Sequence, residues 1–115
     1  MLARSPVRDS LASDVQHALM KRLAHGDTRM NDVARQLALS SRTLQRRLAC
    51  EGASYRQLLE DARKDAAARY VRDSTLAIGE VAFLLGYSEP GPFHRAFRRW
   101  YGMTPETFRR TTEKR

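Results

Sequence analysis

Two short stretches of the sequence set arginines beside large apolar residues in a similar pattern. The first, ALSSRTLQRRLACEG, begins at Ala38 and places three arginines within six residues, next to leucines at helical spacing. The second, LGYSEPGPFHRAFRRWYG, begins at Leu85 and sets three arginines and a histidine among phenylalanines. Guanidinium groups bind phosphates and guanine edges as a fork, and glutamine pairs with adenine. These residue types in this pattern therefore suit recognition of nucleic acid.

The composition agrees with a polyanionic partner but does not require one. The chain has 115 residues, about one domain or two very small ones, and a formal net charge of +8. An excess of arginine favours binding to polyanions, although a basic solvated surface without such a partner explains the charge equally well. The lone Cys50 cannot form an internal disulfide, which favours a reducing compartment. We therefore expect a cytoplasmic protein, with neither a membrane span nor a signal peptide.

The spacing of apolar residues predicts helices throughout. Residues 11–23 have one apolar face, so a helix is expected from near Ser10 to before Gly26. Two short helices follow, and the second ends at Gly52, where glycine can adopt the left-handed conformation that terminates a helix. A helix of about 20 residues and roughly 30 Å is predicted from Ser54, with Ser54 and Gln57 at the spacing of a capping box. No strand-type alternation is found, so the predicted fold class is all-α.

The second half of the sequence repeats the first. Apolar pairs, turn residues and arginines recur 48 residues later before the turn and 49 residues later after a one-residue insertion, and the glycines that end the two copies are 50 residues apart. The matched positions are Val33 with Val81, Leu37 with Leu85, Ser40 with Ser88, Leu44 with Phe93, Arg46 with Arg95, Leu48 with Phe97, and Gly52 with Gly102. A repeated packing unit would explain the apolar matches alone, and the matched arginines favour a shared function.

Each copy has the pattern of a helix-turn-helix, in which the second helix enters the DNA major groove. In the first copy Leu44 and Leu48 are expected to face inward, which directs the polar side chains of that helix outward. The predicted base-reading residues are Arg42, Gln45 and Arg46, because arginine suits guanine and glutamine suits adenine. Ser41, Thr43 and Arg47 are predicted to contact the DNA backbone. Ordinary polar residues on a solvated helix face are the alternative.

In the second copy Phe93 and Phe97 are expected to face inward. His94 and Arg95 then occupy the places of Gln45 and Arg46 and are predicted to read bases, while Gly91 offers close approach of the backbone instead of a side chain. The predicted phosphate contacts in this copy are Arg98 and Arg99.

Two further expectations concern the second copy. Ser88 is predicted as the N-cap of its second helix, since prolines in a first turn are tolerated. His94 is equally open to interpretation as a polar surface residue. A metal site is not expected, because His17, His25 and Cys50 have no ligand spacing with His94.

The long helix between the copies sets their separation. Its predicted length of roughly 30 Å is close to the ~34 Å between successive major-groove faces on one side of a duplex. One chain can therefore reach two adjacent grooves, which predicts a monomer on an asymmetric operator. The predicted organisation is a linker at 1–9, a first helix-turn-helix subdomain at 10–53, a linker helix at 54–74, a second subdomain at 75–111 and a tail at 112–115, with about seven helices.

The stretches VARQLALSSRTLQRRL and IGEVAFLLGYSEPGPFHRAFRRWYGMTPETFRR resemble the DNA-binding domain of the AraC/XylS family of bacterial transcription regulators. The resemblance extends from about Leu11 to Arg110 and is most specific in the second stretch, where Leu-Gly-Tyr-Ser, Phe-x-Arg-Ala-Phe and Gly-x-Thr-Pro occur in family order. It implies recognition helices near 41–50 and 90–100. The positions that match the family's base contacts are Arg42, Gln45, Arg46, Pro90, Gly91, His94 and Arg95.

The resemblance also implies partners for a longer protein. Family members usually carry a separate effector-sensing or dimerising domain, so we expect this chain to be a fragment of an effector-responsive activator whose linker ends at MLARSPVRDS; a short stand-alone regulator is the alternative. Contact with RNA polymerase is implied, and no cofactor is expected.

Three rival functions remain at this stage. An enzyme is disfavoured because the sequence has no glycine-rich phosphate loop, nucleophile elbow or metal-spaced His and Cys residues. A basic helical module that binds proteins or nucleic acid non-specifically is the main alternative. RNA is a weaker alternative, since the narrow A-form major groove excludes a recognition helix.

Overall fold

The computed structural model describes residues 10–113, and every regular element in this range is a helix. The all-α prediction and the number of helices are therefore confirmed. The helices are α1 Leu11–Leu23, α2 Met30–Gln36, α3 Ser41–Cys50, α4 Tyr55–Arg72, α5 Ile78–Leu84, α6 Pro90–Tyr101 and α7 Pro105–Glu113. We call α2–α3 the first motif and α5–α6 the second motif. The predicted linker at 1–9 lies outside the described residues, as do residues 114–115, and α7 extends past the predicted boundary at 111.

Serine and threonine side chains define where several helices begin. The hydroxyl oxygens of Ser10, Ser40 and Ser54 accept the backbone N–H of the third residue in α1, α3 and α4, which satisfies donors that the helix itself leaves unpaired. The capping box predicted at Ser54 is only half formed, because the amide of Gln57 donates to Asp61 (2.9 Å) instead of returning to the cap.

The predicted N-cap of α6 is wrong by one residue. Glu89 occupies the cap position with extended backbone (φ −143°, ψ 151°) and makes no side-chain capping bond. A cap at Ser88 would require Glu89 to be helical, but Glu89 precedes Pro90, and a following proline disfavours the helical conformation. The helix therefore begins at Pro90.

The long helix α4 organises the core. It packs against α1 in the first half of the chain and against α5, α6 and α7 in the second half. Its buried face is made largely of alanines, whose small side chains allow neighbouring helices to approach closely. Larger residues from those neighbours complete one continuous core, among them Val15, Leu19, Leu44, Leu48, Val81, Phe93 and Phe97, which are all fully buried. The second motif thus packs directly on α4, whereas the first motif packs on α1, which in turn packs on α4.

The turns of the two motifs share a conformation. Ala38 follows α2 with φ +63°, and Gly86 follows α5 with φ +94° at the matched position of the repeat. Gly52 and Gly102 both have φ +75° after the second helices. The left-handed conformation favours glycine, because a Cβ meets the neighbouring carbonyl oxygen. The backbone of Ala38 is therefore strained, whereas Gly86 adopts the same left-handed conformation without strain.

We expect Ala38→Gly to raise the free energy of unfolding by about 0.5 kcal/mol, since relief of left-handed strain exceeds the added flexibility of the unfolded chain. Urea unfolding of the two proteins measures the difference. Ala24→Gly is the matched control: Ala24 ends α1 in the right-handed conformation (φ −64°), so glycine there should destabilise. Equal effects at both positions would contradict the strain at Ala38.

None of the helices in this range is both long and apolar enough to span a bilayer.

Candidate nucleic-acid interface

Helix α3 presents a basic face to solvent. Leu44 and Leu48 are fully buried, whereas Arg42, Gln45 and Arg46 are exposed on the outer side. Arg47 is exposed as well. None of the ion pairs formed within residues 10–113 involves an arginine of α3. Three guanidinium groups on one helix, none of them in an ion pair with another described residue, form a surface suited to an extended polyanion.

The start of α3 is held by a small hydrogen-bond network. The Ser41 hydroxyl bonds to Asn31 of α2, and the Thr43 hydroxyl lies 3.0 Å from that of Ser40, which caps the helix. Ser41 and Thr43 therefore fix the turn between α2 and α3, in addition to their predicted contact with DNA. The helix N-terminus beside them carries the partial positive charge that favours a phosphate.

The end of α3 is fixed by Glu51, a residue that the sequence analysis missed. Its carboxylate accepts the backbone N–H groups of Leu11 (2.9 Å) and Ala12 (3.0 Å), so it caps α1 from 40 residues away. Tyr55 makes a second long-range bond, in which its hydroxyl donates to the carbonyl of Thr28 in the loop before α2. Burial raises the pKa of Tyr55 to about 12, so the hydroxyl remains a donor at physiological pH. The first motif is thereby attached to both α1 and α4.

Helix α6 repeats the arrangement with fewer free charges. Phe93 and Phe97 are fully buried, and Arg95 and Arg98 are exposed. The Arg95 guanidinium lies beside Gly91, where Nη1 is 3.6 Å from the position a Cβ would take. Gly91 thus leaves this side of the helix start open to the arginine.

His94 is in contact with α7. Its Nδ1 is 3.0 Å from the Pro90 carbonyl oxygen, and its Nε2 is 3.3 Å from a carboxylate oxygen of Glu106. Both ring nitrogens therefore face acceptors, and only the doubly protonated ring can donate to both. Burial alone would lower the pKa of His94, but the bonds to Pro90 and Glu106 outweigh it, so the pKa is raised.

The His94–Glu106 pair predicts a pH-dependent stability. A folded-state pKa above the unfolded value, about 6.5, gives a contribution that is complete below that value and is lost as the pH rises through the folded pKa. We expect the free energy of unfolding to fall as the pH rises from about 6.5 through the raised pKa of His94, and to fall less in Glu106→Gln. Urea unfolding at several pH values measures this, with His17→Gln, on the exposed face of α1, as the control that should retain the wild-type slope.

Arg99 is also paired. Its Nη2 lies 3.4 Å from Oε2 of Glu60 on α4, and the same oxygen accepts the indole N–H of Trp100 at 2.9 Å. The hydrogen bonds from Trp100 and Arg99 hold the pKa of Glu60 below its usual range. Arg99 would therefore have to leave Glu60 in order to make the predicted phosphate contact.

Further bonds fix the second motif on α4. Tyr101, at the end of α6, donates its hydroxyl hydrogen bond to the carbonyl of Lys64 in α4 (2.6 Å). Arg63 donates to the Leu85 carbonyl (3.1 Å) at the end of α5 and lies 5.1 Å from the ring centre of Tyr87. These contacts set the direction of α6 relative to the linker helix.

Arg109 joins α7 to the segment between α4 and α5. Its guanidinium donates to the carbonyls of Val71 (2.7 Å), Asp73 (3.0 Å) and Leu76 (2.7 Å). No role for Arg109 was predicted from the sequence, where it lies in the stretch that resembles the family. Its contacts show a structural one.

Residues 10–113 contain no group of three or more His, Cys, Asp or Glu side chains placed to bind an ion. Cys50 is an exposed free thiol at the end of α3.

Two helix-turn-helix motifs, each presenting a basic second helix and joined by one long helix, define a DNA-binding domain. A family model described as a helix-turn-helix domain matches residues 33–111. The chain is 40% identical over 104 residues to the HTH-type transcriptional regulator VirS of Mycobacterium tuberculosis, covering 90% of this chain and 31% of VirS. It is 37% identical over 110 residues to the ornithine utilization regulator of Pseudomonas aeruginosa, covering 95% of this chain and 32% of that protein.

A solved structure gives the same result. A DNA-binding transcriptional dual regulator from Escherichia coli K-12 superposes with a TM-score of 0.85 at 28% identity, over 100% of both chains. The chain belongs to the AraC/XylS family of helix-turn-helix transcription regulators, and it is a DNA-binding domain of the kind used in transcription regulation. It spans about a third of the length of the two curated relatives.

Proposed function

We propose that this domain binds an asymmetric duplex operator as a monomer, with α3 and α6 in adjacent major grooves. The observation that carries the proposal is that both exposed basic helices are held relative to one long helix. Helix α6 packs on α4, and α3 packs on α1, which in turn packs on α4. The bond from Tyr55 of α4 to Thr28 adds a second link to the first motif. With 18 residues, α4 is about 27 Å long, comparable with the ~34 Å between successive groove faces. Two unlike recognition helices in one chain favour a site without two-fold symmetry.

The proposed roles follow the exposure of the side chains. Base reading in the first groove is assigned to Arg42, Gln45 and Arg46, which are exposed on α3 and belong to residue types that bond bidentately to guanine or adenine. In the second groove it is assigned to Arg95 and His94, with Gly91 allowing close approach. The proposed backbone contacts are Ser41, Thr43, Arg47, Arg98 and Arg99, because phosphate contacts need charge or a hydroxyl near the groove wall.

Selection of bound duplexes from a randomised library, at near-physiological salt, tests the proposal. Two enriched blocks about one helical turn apart and without two-fold symmetry are the expected result. One enriched block would assign α6 to the DNA backbone. Retention without any enriched sequence would contradict specific recognition and would favour a basic module for other partners.

For the intact protein we propose a regulator that acts in the bacterial cytoplasm, where its DNA target is found, and that contacts RNA polymerase to activate transcription. The support is that the relatives are named transcriptional regulators. A non-catalytic role follows from the same assignment. A two-plasmid reporter assay with a selected operator placed upstream of a promoter would test activation, and loss of reporter output on binding would indicate repression instead.

A further inference from the structure

The two recognition helices differ in what their cationic groups contact. Within residues 10–113, the arginines of α3 take part in no ion pair, whereas two of the basic groups of α6 are paired with carboxylates from neighbouring helices. Glu60 of α4 pairs with Arg99, and Glu106 of α7 pairs with His94. The two recognition helices are therefore similar in sequence but differ in whether their basic side chains are paired with carboxylates.

We propose that Glu60 and Glu106 compete with DNA phosphates for the basic groups of α6, and so make the second motif the weaker DNA-binding arm. This inference rests on the proposed function. It assigns to two residues outside both recognition helices a part in setting how strongly the second block of the operator is bound.

Exchange between carboxylate and phosphate is possible because the pairs are accessible. The side chains of Arg99 and Glu60 are 63% and 41% exposed, and those of His94 and Glu106 are 34% and 52% exposed. Exposed ion pairs are individually weak. The two carboxylates should therefore reduce the affinity of α6 without preventing its binding.

Each carboxylate remains in place when its basic partner leaves. Glu60 keeps its 2.9 Å bond from Trp100, so its negative charge stays beside the phosphate that Arg99 would contact. Glu106 lies in the first turn of α7, where the helix dipole stabilises a negative charge. DNA binding by α6 thus breaks an ion pair and also brings a phosphate near a fixed anion. For α3 no ion pair within residues 10–113 has to be broken.

Affinity measurements on Glu60→Gln and Glu106→Gln test the inference. Glutamine keeps an oxygen that can accept the Trp100 N–H but has no charge. Glu60→Gln should bind a duplex with both selected blocks about threefold more tightly, the size expected for one exposed ion pair. Glu106→Gln should do the same at about pH 5.5, below the ordinary histidine pKa of about 6.5, where His94 does not need Glu106 to be charged. Both variants should bind a duplex with only the first block as Asp65→Asn does. The slope of log affinity against log salt should steepen in Glu60→Gln by at most about one, the value for one additional phosphate contact.

Asp65→Asn is the matched control, because Asp65 is exposed on α4 and its loss changes the net charge equally. If the glutamine variants bind both duplexes no differently from Asp65→Asn, the inference is wrong. If library selection with the wild-type protein yields one block, the double glutamine variant should gain the second, and a continued single block would also overturn it. Failure of every protein to distinguish selected from scrambled duplexes would instead contradict the proposed function.

Discussion

Replacing Arg109 with alanine is expected to lower the free energy of unfolding of the domain by about 3 kcal/mol, because hydrogen bonds from charged groups contribute about 1.5–3 kcal/mol each and two of its three bonds are partly shielded from solvent. Arg109 is half-buried and donates to three carbonyls at the end of α4 and in the loop that follows. An alanine side chain has no hydrogen-bond donor, so the variant loses all three bonds. Urea unfolding of the domain measures the loss.

The adjacent residue supplies the control for Arg109. Arg110 is exposed, and its guanidinium makes one long contact, 3.4 Å, with the Thr107 hydroxyl. Arg110→Ala removes the same charge and should change stability by less than about 0.5 kcal/mol, as is usual at exposed positions. Equal losses in the two variants would show that charge, and not the three carbonyl bonds, explains the effect.

Replacing Arg46 with alanine is expected to weaken binding to the selected duplex by about 10–100-fold, or about 1–3 kcal/mol, and to relax base preference at one position. The side chain is exposed and unpaired within residues 10–113, on a helix fixed at its start by Ser40 and at its end by Glu51. It therefore needs no internal bond to be broken before it reaches a base. Competition binding against single-base variants of the operator gives the measurement.

Arg98→Ala is the comparison for Arg46→Ala. Arg98 is exposed near the end of α6, where a phosphate contact is proposed. Its loss should weaken all duplexes about equally and reduce the salt slope by about one. If both substitutions weaken every duplex equally, Arg46 does not read a base.

Local sequence signals predicted the helices well. The apolar pattern of Leu44 and Leu48 and the turn at Gly52 predicted a short helix here, and the resemblance implied bounds near 41–50. The helix is observed at Ser41–Cys50. The linker helix, expected at 54–74, is observed at Tyr55–Arg72. The N-cap of α6 was predicted at Ser88 because serine is a preferred capping residue. Pro90 disfavours a helical conformation at Glu89, which moves the cap to Glu89.

Hydrogen bonds between residues far apart in the sequence could not be predicted from local sequence patterns. Glu51, Glu60 and Arg109 bond to partners 33 to 40 residues away, and nothing in their immediate neighbourhood specifies those partners. The same holds for His94, whose outward position follows from helical spacing but whose contact with Glu106 depends on how α7 packs. Periodicity determines which face of a helix is polar, whereas tertiary packing determines which of those polar groups is already occupied.

The bond between Trp100 and Glu60 also makes the junction of α4 and α6 visible to spectroscopy. Trp100 is the sole tryptophan in the sequence, and its indole N–H is bonded to a carboxylate of the linker helix. Indole emission therefore originates at a single place, beside the end of the second recognition helix. A titration with duplex DNA can follow that junction by its intrinsic fluorescence, without an attached dye, and separately from events at the first motif.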